Sequence, residues 1–165
     1  MLCLMFVAPE VVKIMATKQY YSGIYMIPPL VFASYEMYMY TVYVNVEYYY
    51  KSTKYIAFNT IVAAITNIVL NFIFVPLYGG MAACFTTVIS YMVSFLMHSK
   101  HSRKLDRELF PLKQFAVPTL IFIIAIIIAY LLMEFWIVRW IIAIVGFIFY
   151  AAYALLTKRF SNFLK

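Results

Sequence analysis

The sequence predicts an all-α polytopic membrane helix bundle, and three observations support this fold class. The chain of 165 residues is 67% hydrophobic and only 12% charged, a composition that excludes an ordinary soluble domain. No charged residue occurs between Lys54 and Lys100. Aromatic residues make up 20% of the chain, which is typical of proteins that anchor side chains at membrane interfaces. We therefore expect about five full transmembrane helices and one partial helix at the N-terminus.

The N-terminal segments predict one partial and one full span. The apolar run before Glu10 would cover only about 14 Å as a helix, so we interpret residues 1–14 as a truncated transmembrane helix. A polar connection then leads into the main bundle (22–165), whose first full span is expected near 25–49. Two consecutive prolines in its first turns are compatible with a helix start. Helical spacing places five of its residues on one face: Ala33, Glu36, Tyr40, Tyr43 and Glu47.

The central stretch predicts a transmembrane hairpin with spans near 55–75 and 80–99. Pro76, Gly79 and Gly80 mark the turn between its arms, and each arm of about 20 residues is long enough to cross the hydrocarbon core. Small and polar residues recur at three- and four-residue steps along one face of each arm. Because such faces let helices approach closely and hydrogen-bond, we expect them to point at protein or at a cavity. They comprise Thr60, Ala63, Ala64, Asn67 and Asn71 on the first arm, and Gly79, Ala83, Thr87, Ser90 and Ser94 on the second.

The remaining apolar segments predict spans near 114–133 and 137–157. Their connection is so short that the last span is expected to return antiparallel beside the one before it. When the loops alternate between the two sides of the membrane, ten of the 13 Lys and Arg residues fall on one side. Cytoplasmic loops carry an excess of bases, so the C-terminus is predicted to be cytoplasmic. The other side has three bases: Lys13, Lys18 and Arg139.

The sequence shows no pattern of a cofactor, metal or catalytic site, so we expect a protein that needs no cofactor and is not an enzyme. Cys3 and Cys84 lie in apolar segments without the spacing of metal ligands. His98 and His101 lie among bases, with no cluster of further ligands. An enzyme would need a clustered acid–base pair or an activated nucleophile. The net charge of +7 is explained by the loop bias, without nucleic acid as a partner.

Two consecutive segments carry the most specific motif of the chain. Residues 67–79 read NIVLNFIFVPLYG and residues 80–91 read GMAACFTTVISY. Together with the segments over 6–14 and 20–28, they resemble the C-terminal part of polysaccharide-export flippases, the O-antigen or capsule type within the multidrug/oligosaccharidyl-lipid/polysaccharide exporter superfamily. Members of that family have two pseudo-symmetric lobes around a central cavity that opens alternately to each side of the membrane.

The resemblance implies a function and a location. It implies that the chain is the C-terminal lobe of a two-lobed exporter in the bacterial cytoplasmic (inner) membrane. Such an exporter flips a lipid-diphosphate-linked oligosaccharide to the outer leaflet by alternating access, for lipopolysaccharide O-antigen or capsule biosynthesis. The implied partners are this lipid-linked oligosaccharide, membrane lipids and the missing N-terminal lobe. Two other interpretations stay open: an inactive or structural membrane remnant, and a lobe of a cation-coupled multidrug exporter.

Three groups of residues are candidates for the site, each with a structural alternative. Glu36 either faces the cavity and couples a proton or cation to transport, or is a protonated buried acid that bonds a neighbouring helix. Asn67 and Asn71 either contact sugar hydroxyls or hydrogen-bond between helices. The bases after the hairpin either contact the diphosphate headgroup or set the topology and attract anionic lipid. These bases are Arg103, Lys104 and Arg107.

Two further expectations concern residues outside these groups. Asn45, Glu47 and Asn59 lie nearer the predicted interface and are expected to be solvated. The last two spans are apolar on nearly all sides, and in some relatives an extra C-terminal helix pair lines a groove for the lipid tail. This pair resembles it by position, with plain lipid-facing packing as the alternative. The small surface of the last span comprises Ala143, Gly146 and Ala151.

Overall fold

The computed structural model describes residues 2–107 and 110–156, and this part of the chain is helical with no strand. The predicted all-α polytopic bundle is confirmed. A 3-10 helix over Lys18–Met26 joins the first two of six α-helices. These are α1 (Leu2–Met15), α2 (Ile27–Tyr49), α3 (Thr53–Tyr78), α4 (Gly80–Leu105), α5 (Lys113–Leu131) and α6 (Trp136–Leu156).

Four of these helices, α3 to α6, are long and apolar enough to cross a membrane. The sequence predicted about five such helices, and the difference is α2. Its 23 residues are sufficient in length, but it carries two glutamates and six tyrosines that lower its apolar character. A helix of this kind is stable in a membrane when its polar face packs against other helices.

The helix ends follow from local backbone chemistry. Pro28 and Pro29 occupy the first turn of α2, where an amide proton would lack a helical partner. The hairpin turn is shorter than predicted, because α3 continues through Pro76 to Tyr78. Gly79 alone makes the turn with φ 67° and ψ −155°, a conformation almost restricted to glycine.

Helix α2 lies at the centre of the bundle. One side packs along α4, which in turn packs along α3, while the other side contacts α5 and α1. Five positions predicted to share one face of α2 are buried or nearly so. On the α5 side, the Tyr35 ring stacks on Phe122 with centroids 4.2 Å apart. Because lipid is as apolar as these side chains, close packing and hydrogen bonds hold the helices together.

Helix α6 makes its main contact with α1, so the prediction that it returns packed beside α5 is wrong. Ala143 is buried at the α1–α6 contact, where its carbonyl oxygen lies 3.7 Å from the Cys3 Sγ atom. A small residue at this point lets the two helices approach closely. A short connection determines the direction in which α6 returns, but it does not determine which helix packs beside α6.

The connection between α2 and α3 meets the C-terminal end of α4. The Tyr50 hydroxyl donates a hydrogen bond of 3.1 Å to Asp106 Oδ2, and Ser52 Oγ lies 2.8 Å from His101 Nε2. The Tyr55 ring stacks on His101 with centroids 3.5 Å apart. Lys54 and Arg103 therefore lie at the same end of the bundle, as the loop alternation predicts. We call this the basic end.

Candidate functional site

A polar groove of about 350 Å³ lies between α2, α3 and α4. Its walls contain seven of the ten small and polar residues predicted for the two arms of the hairpin, together with two tyrosines. The faces of α3 and α4 that point away from it are apolar and exposed, as lipid contact requires. The groove is lined by Tyr40, Thr60, Ala63, Ala64, Asn67, Thr87, Ser90, Tyr91 and Ser94.

Asn67 and Asn71 have different positions. Asn71 Nδ2 donates a hydrogen bond of 2.9 Å to Asn67 Oδ1 on the preceding turn of α3. The Thr86 hydroxyl of α4 donates one of 2.5 Å to Asn71 Oδ1. Asn71 therefore links the two arms of the hairpin, whereas Asn67 lines the groove. Asn71 thus makes the hydrogen bond between helices that the sequence offered as one of the two roles.

A buried polar cluster, Glu47, Asn59 and His98, joins α2, α3 and α4 toward the basic end. None of the three residues is exposed to solvent. His98 Nδ1 lies 2.7 Å from Glu47 Oε2 and 3.4 Å from Asn59 Nδ2. Because His98 Nδ1 contacts a carboxylate at this short distance, Nδ1 carries a proton. It then has no free lone pair and cannot accept a hydrogen bond from the Asn59 amide. The strong interaction of the cluster is therefore the one between α2 and α4.

The expectation that Glu47 and Asn59 are solvated is wrong, as is the placement of His98 among the exposed bases. The polar stripes of α3 and α4 each continue one turn beyond the predicted faces. Asn59 precedes Ala63 by four residues, and His98 follows Ser94 by four residues. Helical periodicity therefore contained the signal for the cluster. Glu47 and Asn59 were nevertheless expected to be solvated, because they lie near helix ends, where polar residues usually contact solvent.

Tyr40 connects the cluster to the groove. Its ring lines the groove and stacks on His98 with centroids 5.8 Å apart. The same ring lies 5.8 Å from that of Tyr91 on α4. A change in the Glu47–His98 pair would therefore reach the groove through one aromatic side chain.

Glu36 is fully buried but does not line this groove. It lies in a second cleft, between α2, α4 and α5, so the structure does not bring it together with Asn67 and Asn71. Neither oxygen of its carboxyl group has a hydrogen-bond partner within residues 2–107 and 110–156. The bond to a neighbouring helix that the sequence offered as an alternative is thus not made within this part of the chain.

Four exposed bases form a ledge on α4 and just beyond it, at the basic end. Lys100, Arg103, Lys104 and Arg107 line an open hollow of about 640 Å³ together with Ser99. Arg103 follows Ser94 by nine residues, which places the ledge about 14 Å along α4 from the groove. Guanidinium groups in such an arrangement bind phosphate oxygens in a bidentate manner.

Arg139 was predicted to lie near the start of the last span, on the side of the membrane opposite the ten bases. It belongs to the first turn of α6, is almost fully buried and forms an ion pair with Glu10 of α1. Its Nε and Nη1 atoms have no partner among the described residues. No local pattern predicted this pair, because 129 positions separate the two residues.

The hydrogen bond from Tyr50 to Asp106 perturbs the tyrosine at the basic end. It raises the pKa of the Tyr50 hydroxyl above its ordinary value, since ionisation would remove the donated proton and place two negative charges together. This contact lies outside the membrane-spanning helices and connects the loop after α2 to the end of α4.

The chain has no significant match among protein-family models, curated proteins or solved structures. The groove, the cluster and the ledge are therefore the basis on which a function is proposed.

Proposed function

We propose that this chain is the C-terminal lobe of a flippase that moves a lipid-diphosphate-linked oligosaccharide across a membrane by alternating access. The observation that carries the proposal is the polar groove between α2, α3 and α4, in helices whose remaining faces are apolar. A path for sugars through a bilayer needs hydrogen-bonding side chains on the inner face only. Hydroxyl and amide groups such as Thr60, Asn67 and Ser90 supply them.

The ledge supports the same proposal. A lipid diphosphate carries its charge between the sugar and the lipid, at the depth of the interface. The bases of the ledge lie at the depth of the interface. They face the cytoplasm if the basic end is cytoplasmic, and the excess of bases in the loops at this end favours that orientation. The headgroup would bind at Arg103 and Arg107, with the oligosaccharide extending toward the groove. The lipid chain would remain against the exposed apolar faces of α5 and α6.

Transport without chemical conversion fits the groove lining. The side chains around it are hydroxyls, an amide, tyrosines and alanines, with no carboxylate, histidine or cysteine among them. A serine or threonine hydroxyl attacks a substrate only when an adjacent base activates it, and the residues around the groove include no such base. We therefore propose a transporter and not an enzyme, located in a bacterial cytoplasmic membrane with the second lobe and the lipid-linked oligosaccharide as partners.

Reconstitution in vesicles tests the function. The full chain is placed in vesicles containing a polyprenyl-diphosphate oligosaccharide with a fluorophore on the sugar, and binding and exposure to an impermeant quencher are followed. We expect saturable binding that is weakened by Asn67→Leu, which fills the groove, and by Arg103→Gln. The control is Phe72→Leu, at a side chain that is 83% exposed toward lipid.

The outcomes separate the interpretations. Binding with transfer to the other leaflet supports a flippase lobe that works alone, and binding without transfer supports a lobe that needs its partner. A chain that binds no lipid-linked oligosaccharide, or binds it equally well in Asn67→Leu and Arg103→Gln, is a structural remnant or a lobe with another substrate, and the proposal fails.

A further inference from the structure

The cleft that contains Glu36 is a second site, distinct from the polar groove. It has a volume of about 370 Å³, with α2 as its floor and α4 and α5 as its walls. Glu36 and Met39 line the floor, and Phe95 and Phe115 line the two walls. At the mouth, Leu120 is 58% exposed, so the cleft opens toward the lipid.

The only charged group among the lining residues is a carboxyl without a partner. Glu36 is fully buried, and both of its oxygens lack a hydrogen bond to any residue that the structure describes. Thr119, the other polar lining residue, donates its hydroxyl proton to the Phe115 carbonyl oxygen over 2.6 Å. It also contacts the Tyr35 hydroxyl at 3.1 Å. The carboxyl is therefore left for something that enters the cleft, because an unpaired carboxylate in an apolar site is strongly unfavourable.

We propose that this cleft binds a hydrophobic amine in its protonated form. An amine that arrives neutral takes the proton of the Glu36 carboxyl, and the resulting ammonium group forms an ion pair with the carboxylate. The rings of Phe95 and Phe115 contribute cation–π attraction and apolar contact. The apolar body of the ligand extends between α4 and α5 into the lipid.

The chemistry and depth of the site exclude the other common membrane ligands. The Glu36 carboxylate would repel an anionic lipid. A sugar needs several hydrogen-bonding partners, whereas Glu36 is the one described lining residue whose polar group is unpaired. The ammonium of a phospholipid is held at the interface, but Glu36 follows the start of α2 by nine residues, about 14 Å along the helix. It precedes the other end by 13 residues, about 20 Å. An amine partitions to this depth in its neutral form and is protonated there, whereas the phosphate of a phospholipid keeps its headgroup at the interface.

Thermal unfolding of the full chain in a non-ionic detergent tests the proposal with three probes of equal chain length: dodecylamine, dodecanol and dodecanoate. We expect dodecylamine to raise the melting temperature at about tenfold lower concentration than dodecanol, as an added ionic contact of about 1.4 kcal/mol gives. Dodecanoate should not raise it. In Glu36→Gln, dodecylamine should raise the melting temperature no more effectively than dodecanol. In Glu134→Gln, at an exposed carboxylate, the tenfold difference between amine and alcohol should remain.

A second measurement does not depend on the stability of a variant. Dicyclohexylcarbodiimide, an apolar reagent, should modify Glu36 in the wild-type chain, as detected by the mass of the peptide that contains it. Dodecylamine should protect this residue about tenfold better than dodecanol, and Ala116→Trp, which narrows the mouth, should slow the modification itself because the reagent enters by the same opening. Equal protection by amine and alcohol, or an undiminished effect of the amine in Glu36→Gln, would overturn the proposal.

Discussion

His98 Nδ1 lies 2.7 Å from Glu47 Oε2, and both side chains are fully buried between α4 and α2. This contact joins the central helix of the bundle to the hairpin that forms the groove. Tyr40 stacks on the same histidine and forms part of the groove wall. The basic end of the groove therefore depends on one polar pair in an apolar environment.

Removing one member of this pair is expected to destabilise the bundle more than removing both. Glu47→Ala leaves His98 buried without its partner, and such losses cost about 3–5 kcal/mol. Glu47→Leu and His98→Leu each leave one buried partner alone, whereas the double change removes both partners and should cost less than either single change. Reversible denaturation in mixed micelles measures the free energies for a double-mutant cycle. Additive costs would contradict a specific pair, and Glu134→Ala, at an exposed site, is the control.

The turn between α3 and α4 should tolerate no side chain. At φ 67° and ψ −155°, Gly79 has a backbone conformation in which an L-residue is strained, so Gly79→Ala should cost about 1–3 kcal/mol of unfolding free energy. Gly146→Ala is the matched control, because a Cβ there meets nothing within 4 Å and its φ is not positive. Unfolding in the same micelles compares the two variants. If both were equally stable, the turn geometry would be wrong.

The hydrogen bond from Thr86 to Asn71 is a polar link between the two arms of the hairpin. Thr86→Val keeps the shape of the side chain but removes the donor, and we expect a loss of about 0.6–1 kcal/mol. Thr66→Val should cost less, since among the described residues the Thr66 hydroxyl bonds only to the Val62 carbonyl oxygen of its own helix. Comparing their unfolding free energies, with Asn71→Leu as a second way to break the link, checks this contact.

The bond between Tyr50 and Asp106 predicts a pH dependence at the basic end. Because it raises the pKa of Tyr50 in the folded state, its stabilising contribution is present below the unfolded value of about 10 and is lost as the pH rises through the folded value. Asp106→Ala should lower the pKa of Tyr50. Tyrosinate absorbance, taken as the difference from a Tyr50→Phe chain, reports it. An unchanged titration in Asp106→Ala would show that the contact is absent in solution.

The sequence was sufficient for the helices and for the two faces of the hairpin, because composition and periodicity are local properties. The stripe from Thr60 to Asn71 predicted the groove wall on α3, and the loop charges placed Lys54 and Arg103 at one end. Burial of Glu47 and Asn59 could not be read from position alone, since it depends on how closely α4 approaches. The packing of α6 on α1 was also hidden, because it depends on contacts between residues far apart in the chain.

The ion pair between Glu10 and Arg139 has a consequence for biogenesis. A guanidinium that enters the membrane without a counter-charge is costly, so the last helix should settle in the bilayer only after the first one is in place. Glu10→Gln should therefore leave the residues that follow α5 accessible to protease for longer during translation into membranes, whereas Lys13→Gln, at an exposed base, should not. The beginning of the chain would in this way act as an internal chaperone for its end.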